Sequence, residues 1–280
     1  VAIAGAVVAT GLGVWAFAWE PATLRVREHL VAVDGWPAGC DGLRIALLAD
    51  FHTGSPWNGL DKLERIVART AEARPDLVLL AGDFVIHGVP GGRFVAPEIV
   101  ADRLGRLAPP LGVHAVLGNH DWWLDPARVG RAVEAAGIGL LEDRAVPLAG
   151  AGCDLWLAGI SDFWEGPHDV GRALASIPDD GVVVAFTHNP DVFPEIPARV
   201  ALTLAGHTHG GQVALPILGR PIVPSAYGER FAAGHVRETG RDLFVSTGLG
   251  TSILPVRFRV PPEISIVTVR AEAADPFVSE

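Results

Sequence analysis

The chain has 280 residues, 49% of them hydrophobic and only 19% charged, which suits one large α/β domain and excludes wholesale disorder. A formal charge of −10 at pH 7 argues against a protein that coats nucleic acid, although bound cations would still let it receive an anionic substrate. Two cysteines, Cys40 and Cys153, are too few for a disulfide framework, and the composition favours two buried thiols over a pair.

Methionine is absent, even from position 1, so the native start is expected upstream. Residues 1–19, VAIAGAVVATGLGVWAFAW, carry no charge and end abruptly at Glu20-Pro21. This is close to the length a helix needs to cross a hydrocarbon layer, with Trp15 and Trp19 placed as an interfacial belt would place them. A transmembrane anchor or uncleaved signal is therefore expected over 1–20, giving membrane association on a side left open. Cleavage after Ala16-Phe17-Ala18 is the competing expectation. A buried core helix is disfavoured because no polar face appears in the run.

ATLRVREHLVAV then alternates as an exposed strand would, within a connecting segment over 21–42. LRIALLADFHTG (43–54) predicts a buried strand, and Leu60, Leu63, Ile66 and Val67 predict a helix after it. DLVLLAGDFV (76–85) and GVHAVLGNHDWW (112–123) predict two more strands, and Asp125-Pro126 opens a further helix. GVVVAFTHNPD (181–191) and VALTLAGHTHGG (200–211) repeat the pattern of an apolar strand ending in histidine. A hairpin near 230–247 and a last strand, PEISIVTVR, complete a catalytic domain expected over 43–272, with a tail over 273–280.

Five apolar strands thus end in the same kinds of polar residue: Asp50 and His52, Asp83, Asn119 and His120, His188, and His207 with His209. Carboxyl ends of strands are where α/β folds gather their sites. Carboxylate, amide and imidazole together form a ligand set for divalent metals of intermediate hardness. In DFH and HTH the paired residues sit two apart, so an extended backbone points both side chains to one face. A lone histidine at a strand end is ordinarily structural, but five of ten histidines repeating one arrangement argue against coincidence.

DFH, GDF, GNHD, THN and GHTHGGQ, in this order, resemble the signature of the calcineurin-like metallophosphoesterases. The GHTHGGQ ending and the apolar leader followed by EP most resemble the membrane-associated YkuE/YaeI-like branch. Ala49 departs from the serine frequent before the first aspartate, at a position that is not a ligand.

The resemblance implies a four-layer α/β/β/α sandwich carrying two divalent metal ions, manganese first among manganese, iron, zinc and magnesium. It gives Asp50, His52 and His209 to one ion, Asn119, His188 and His207 to the other, and Asp83 to both. His120 is left to protonate a leaving oxygen or steady the transition state, and Asp121 beside it either orients that imidazole or serves as a helix cap or turn former. The implied reaction is hydrolysis of a phosphodiester or pyrophosphate by a metal-activated hydroxide, on a lipid-linked or envelope substrate of the UDP-2,3-diacylglucosamine type. A catalytically silent scaffold and a dinuclear carbon–nitrogen hydrolase are the alternatives. The first sits poorly with a complete ligand set, and the second with the order of the blocks. No protein partner is inferred.

Trp57, Trp122, Trp123 and Trp164 are read as packing or membrane contacts rather than as a substrate wall. Tyr227, Arg93, Arg220 and Arg230 are weaker candidates for bordering substrate or phosphate. His29, His87, His114, His168 and His235 receive no role.

Overall fold

The computed structural model describes residues 2–150 and 152–272, so the tail expected over 273–280 lies outside the described residues. Chain order gives β1 (Arg25–Val33), β2 (Arg44–Leu48), β3 (Leu77–Ala81), β4 (Val113–Val116) and β5 (Gly139–Leu140) to a first sheet. A second sheet takes β6 (Arg144–Pro147), β7 (Leu155–Ile160), β8 (Val182–Thr187), β9 (Val200–Ala205), β10 (Gly234–Glu238) and β11 (Arg241–Val245). The last strand, β12 (Glu263–Ala271), returns to the first sheet between β1 and β2. It runs parallel to β1 and antiparallel to β2, while β2 to β5 are mutually parallel, as are β7, β8, β9 and β11.

The buried strands read as continuous apolar runs because both of their faces are covered. Ile45, Leu47 and Leu79 meet Leu157, Phe186 and Leu204 in the core between the sheets. On the outer face of the first sheet, Leu48 and Leu80 pack against Leu63 and Ile66 of helix Leu60–Glu72 and Val129 of helix Pro126–Ala135. The second sheet is covered by Ala173 and Leu174 of helix Val170–Leu174 and by Phe193. These are the four layers α/β/β/α.

The exposed strand expected in the connecting segment forms as β1, paired with β12 over nine residues at the edge of the first sheet. Two sequence-based expectations change. The strand expected over 112–123 stops at Val116, and Asn119–Leu124 is a short helix, because Gly118 turns the chain. Cys40 and Cys153 form a disulfide with Cα atoms 5.6 Å apart, not two thiols. The bond joins the loop entering β2 to the loop entering β7, and so ties the two sheets at the end where those strands begin. Nothing in a spacing of 113 residues announces it.

The leader is helical from Ala2 to Ala22, through a π-helical stretch at Trp15–Trp19. Its Ile3–Ala22 span is long and apolar enough to cross a membrane, and little of it is buried. Its last turns nonetheless belong to the domain. Arg257 N donates to Ala16 O (2.9 Å), Trp57 Nε1 to Phe17 O (2.8 Å) and the buried Lys62 Nζ to Pro21 O (2.8 Å). Burial, with Arg257 and Arg65 adding repulsion, holds the Lys62 ammonium well below the usual lysine range.

Candidate metal centre and phosphoesterase site

Each site residue lies just past the carboxyl end of a parallel strand: Asp50 and His52 after β2, Asp83 after β3, Asn119 and His120 after β4. From the second sheet come His188 after β8, and His207 with His209 after β9. The turns that aim these side chains are strained. Asp50, His52, Asp83, His207 and His209 all have positive φ, between 37° and 68°, which L-residues hold only where surrounding structure imposes it. Gly118 lets the backbone pass against Asp83, where a Cβ would overlap the carboxylate.

Asp50, His52, Asp83 and His209 offer ligand atoms all within 4.8 Å of one another. His52 Nε2 lies 3.3 Å from Asp83 Oδ2 and 3.1 Å from His209 Nε2, and His209 Nε2 lies 3.4 Å from Asp50 Oδ1. On the other side of Asp83, its Oδ2 is 3.4 Å from His188 Nε2. That nitrogen is 3.2 Å from Asn119 Oδ1 and 3.1 Å from His207 Nδ1. Asp83 therefore stands between two groups of donors.

The donor set suits cations. His52 Nδ1 faces Val85 O (3.2 Å) and His188 Nδ1 faces Ala81 O (2.6 Å). A proton held on each Nδ1 leaves each Nε2 lone pair turned inward, as metal-binding imidazoles require. Two imidazole nitrogens face one another on either side of Asp83, a repulsive contact when both carry lone pairs and one that a shared cation relieves. Burial opposes ionisation of Asp83, but the attraction of His188, His120 and His52 prevails and holds its carboxyl well below the usual carboxylate range. Burial likewise pushes Asp50 up to about 6, and His207 and His209 well below the usual histidine range.

Asp121 does not orient His120. Its carboxylate accepts from the backbone N–H groups of Asp83 (2.8 Å), Phe84 (3.0 Å), Val85 (3.3 Å) and Gly118 (2.9 Å). It holds the Asp83 turn and the glycine turn together, which makes it a positioning residue for Asp83. Among the described residues the buried His120 Nδ1 has no hydrogen-bond partner, and its Nε2 is 3.4 Å from Ser252 Oγ. Burial pushes His120 down to about 3, so its imidazole is neutral in the free protein at pH 7.

A cavity of 360 Å³ opens over Asp83, Asn119, His120, His207 and His209. Trp123 and Trp164 form part of its wall, correcting the expectation that they only pack: Trp123 lies over His120 at 4.6 Å between ring centroids, and Trp164 meets His207 edge-on at 4.3 Å. Trp122 packs against the helix-covered core as expected, and Trp57 bonds the leader. Arg230 pairs with Glu238, Arg220 Nε donates to Gly210 O, and Tyr227 packs on Phe231, so neither arginine's charge nor the phenol reaches the cavity wall.

Sequence reasoning missed His87, Gln212 and Ser252, which also line the cavity, and Arg257 behind it. Gln212 stood inside the GHTHGGQ block and was the legible one. Arg257 is fully buried, bonded to Gly250 O and Val260 O, with Nη2 3.5 Å from His209 Nδ1. No local pattern marks it.

Behind the site, Glu142 accepts from Leu117 N (2.8 Å) while its buried Oε2 has no partner among the described residues. Burial, reinforced by Asp143, Asp121 and Asp162, pushes its carboxyl up to about 8. The folded state therefore binds a proton there that the unfolded chain releases near pH 4.5. This contribution to stability is full below that value and is lost as pH rises through about 8. Glu142→Gln keeps the Leu117 acceptor, so the variant should melt a few degrees above the parent at pH 8.5 and close to it at pH 4.5. A difference in melting temperature that ignores pH would refute this account.

Residues 43–211, most of the sandwich and every proposed ligand, match the model of the calcineurin-like phosphoesterase family. The chain is 30% identical over 271 residues to the metallophosphoesterase YkuE of Bacillus subtilis (strain 168), covering 96% of this chain and 93% of that one. It is 30% identical over 255 residues to the phosphodiesterase YaeI of Escherichia coli (strain K12), covering 89% of each. A transmembrane protein with a metallophosphoesterase domain from Danio rerio is 29% identical over 261 residues, covering 88% of this chain and 57% of that one. A family match over this span, joined to a carboxylate and imidazole cluster at the strand ends, makes the chain a hydrolase belonging to the calcineurin-like phosphoesterases.

Proposed function

We propose that this protein hydrolyses a phosphodiester or pyrophosphate carried on a lipid or envelope substrate, using two divalent cations, manganese foremost. The observation that carries this is the placement of Asp83 between two donor groups, His52 with His209 on one side and His188 with Asn119 and His207 on the other. Asp50, His52 and His209 would hold one cation and Asn119, His188 and His207 the other, with Asp83 common to both. When bound, the pair supplies a nucleophilic water at neutral pH and positive charge for the phosphoryl oxygens.

The remaining steps belong to the chain. Asp121 fixes the Asp83 turn, and Asp50 accepts from His207 N (3.0 Å), so a carboxylate of the first sheet sets a ligand of the second. His120 faces the cavity, where an arriving phosphate anion raises its basicity so that it takes up a second proton from solvent, and that proton then goes to the departing oxygen. Trp123, Trp164, Ile222 and Ile253 give the cavity an apolar wall suited to a lipid or a nucleobase.

The leader's hydrogen bonds favour an uncleaved anchor, since cleavage after Ala18 would remove the acceptors for Arg257 N and Trp57 Nε1. The Cys40–Cys153 bond favours a domain facing an oxidising compartment.

The test is the full chain, stripped by chelator and reloaded separately with Mn²⁺, Fe²⁺, Zn²⁺ and Mg²⁺, assayed on bis-p-nitrophenyl phosphate and on lipid phosphodiesters. Turnover is expected to return at two equivalents of metal. Saturation at one equivalent, or no hydrolysis with any metal, would overturn the proposal.

A further inference from the structure

We infer that the cavity mouth is built against the bilayer surface: the segments 211–228 and 246–262 form a second membrane contact beside the leader. This rests on the lipid-linked substrate proposed above and says how such a substrate arrives. Neither segment contains a single aspartate or glutamate, in a chain that has 32 acidic residues. Their charges are Arg220, Arg257 and Arg259, of which Arg259 is exposed. The nearest following acid, Glu229, accepts from Arg220 N (2.5 Å).

The two segments are one surface. Gln212 Nε2 donates to Ser252 O (3.0 Å), Ser252 N to Gln212 Oε1 (2.8 Å) and Ala214 N to Phe258 O (2.9 Å). A tight turn closed between Leu215 and Gly219 lifts Ile217 and Leu218 to its tip, where Ile217 is fully exposed and Leu218 73% exposed. Ile222, Ile253 and Leu254 are also exposed, and Ile222 and Ile253 border the cavity as well. Water is a poor environment for this much apolar surface, which in soluble monomers marks a contact site.

The leader says what covers it. Its apolar helix is pinned to the same segment through Arg257 N and to the neighbouring Trp57. A bilayer that receives the helix therefore meets the exposed tips beside it, and an acid-free surface with the exposed Arg259 suits anionic headgroups. A lipid phosphodiester would enter the cavity without leaving the layer.

The test uses the full chain reconstituted through its leader into vesicles of phosphatidylglycerol and phosphatidylethanolamine. An environment-sensitive fluorophore is placed on Ile217→Cys, on Leu254→Cys or, as control, on Asp179→Cys at the opposite end of the strands. Labels at 217 and 254 should shift to shorter wavelength and lose emission to spin-labelled lipids, while the label at 179 does neither. I217D/L218D should keep its turnover of bis-p-nitrophenyl phosphate and lose roughly tenfold or more on a diester presented in vesicles.

Labels at 217 and 254 that stay water-exposed in vesicles would overturn the inference, as would their burial only at high protein density, which would mark contact between copies. If the unaltered chain hydrolysed no diester while the labels were immersed, the proposed function would fall and the membrane contact would stand.

Discussion

Asp83→Asn is expected to lower bound metal below one equivalent and to cut turnover by about 10³-fold or more, since losing several kcal/mol of charge stabilisation costs a factor of ten per 1.36 kcal/mol. Asparagine has nearly the same shape and can keep the acceptor for His120 N, which Asp83 Oδ1 meets at 2.9 Å. What it lacks is the negative charge facing His52 and His188. Both metal sites should weaken together, because one carboxylate stands between the two donor groups. Melting temperature in chelator should change little, which separates a metal defect from a folding defect. A variant that retains two equivalents of metal and near-normal turnover would disprove the shared role of Asp83.

His120→Ala should behave differently. Its imidazole faces the cavity, and its one hydrogen-bond contact among the described residues is a long one to Ser252 Oγ, so metal content should stay near two equivalents while turnover falls by about 10²–10⁴-fold. The loss should be large for alkyl diesters and small for p-nitrophenyl esters, whose leaving group departs without a proton. A uniform loss across leaving groups would assign His120 to electrostatic support and not to proton transfer. Because Trp123 lies over His120, the alanine variant should be compared with His120→Asn, which keeps more of the volume.

How much of this was legible in the sequence follows from where each residue sits. The donors could be read because each rides just past an apolar strand, where a run such as LRIALLAD gives both the element and its end. The two-residue spacing of His207 and His209 was also legible, although these residues hold positive φ and not the extended backbone that spacing suggests. For Asp121 the sequence leaves two roles open, orienting His120 or forming a cap or turn, and the structure shows the second. In the short helix that begins at Asn119, its side chain turns back to the Asp83 loop. His87, Trp164 and Ser252 reach the cavity from separate loops, and loop paths obey no periodicity that a sequence reveals. The pairing of Cys40 with Cys153 depends on which two loops the sandwich brings together, and a separation of 113 residues does not encode that.

The place of β12 has a consequence for how the enzyme is made. It lies between β1 and β2, and the loop before it grips the first catalytic turn: Leu249 N donates to Ala49 O (3.0 Å) and Gly250 N to Asp50 O (2.7 Å). A ribosome delivers the first catalytic turn well before the loop and strand that brace it, so the centre closes only after residues 246–271 have been made. A cation site that draws on Asp50 is therefore expected to be complete only in chains that have folded through β12.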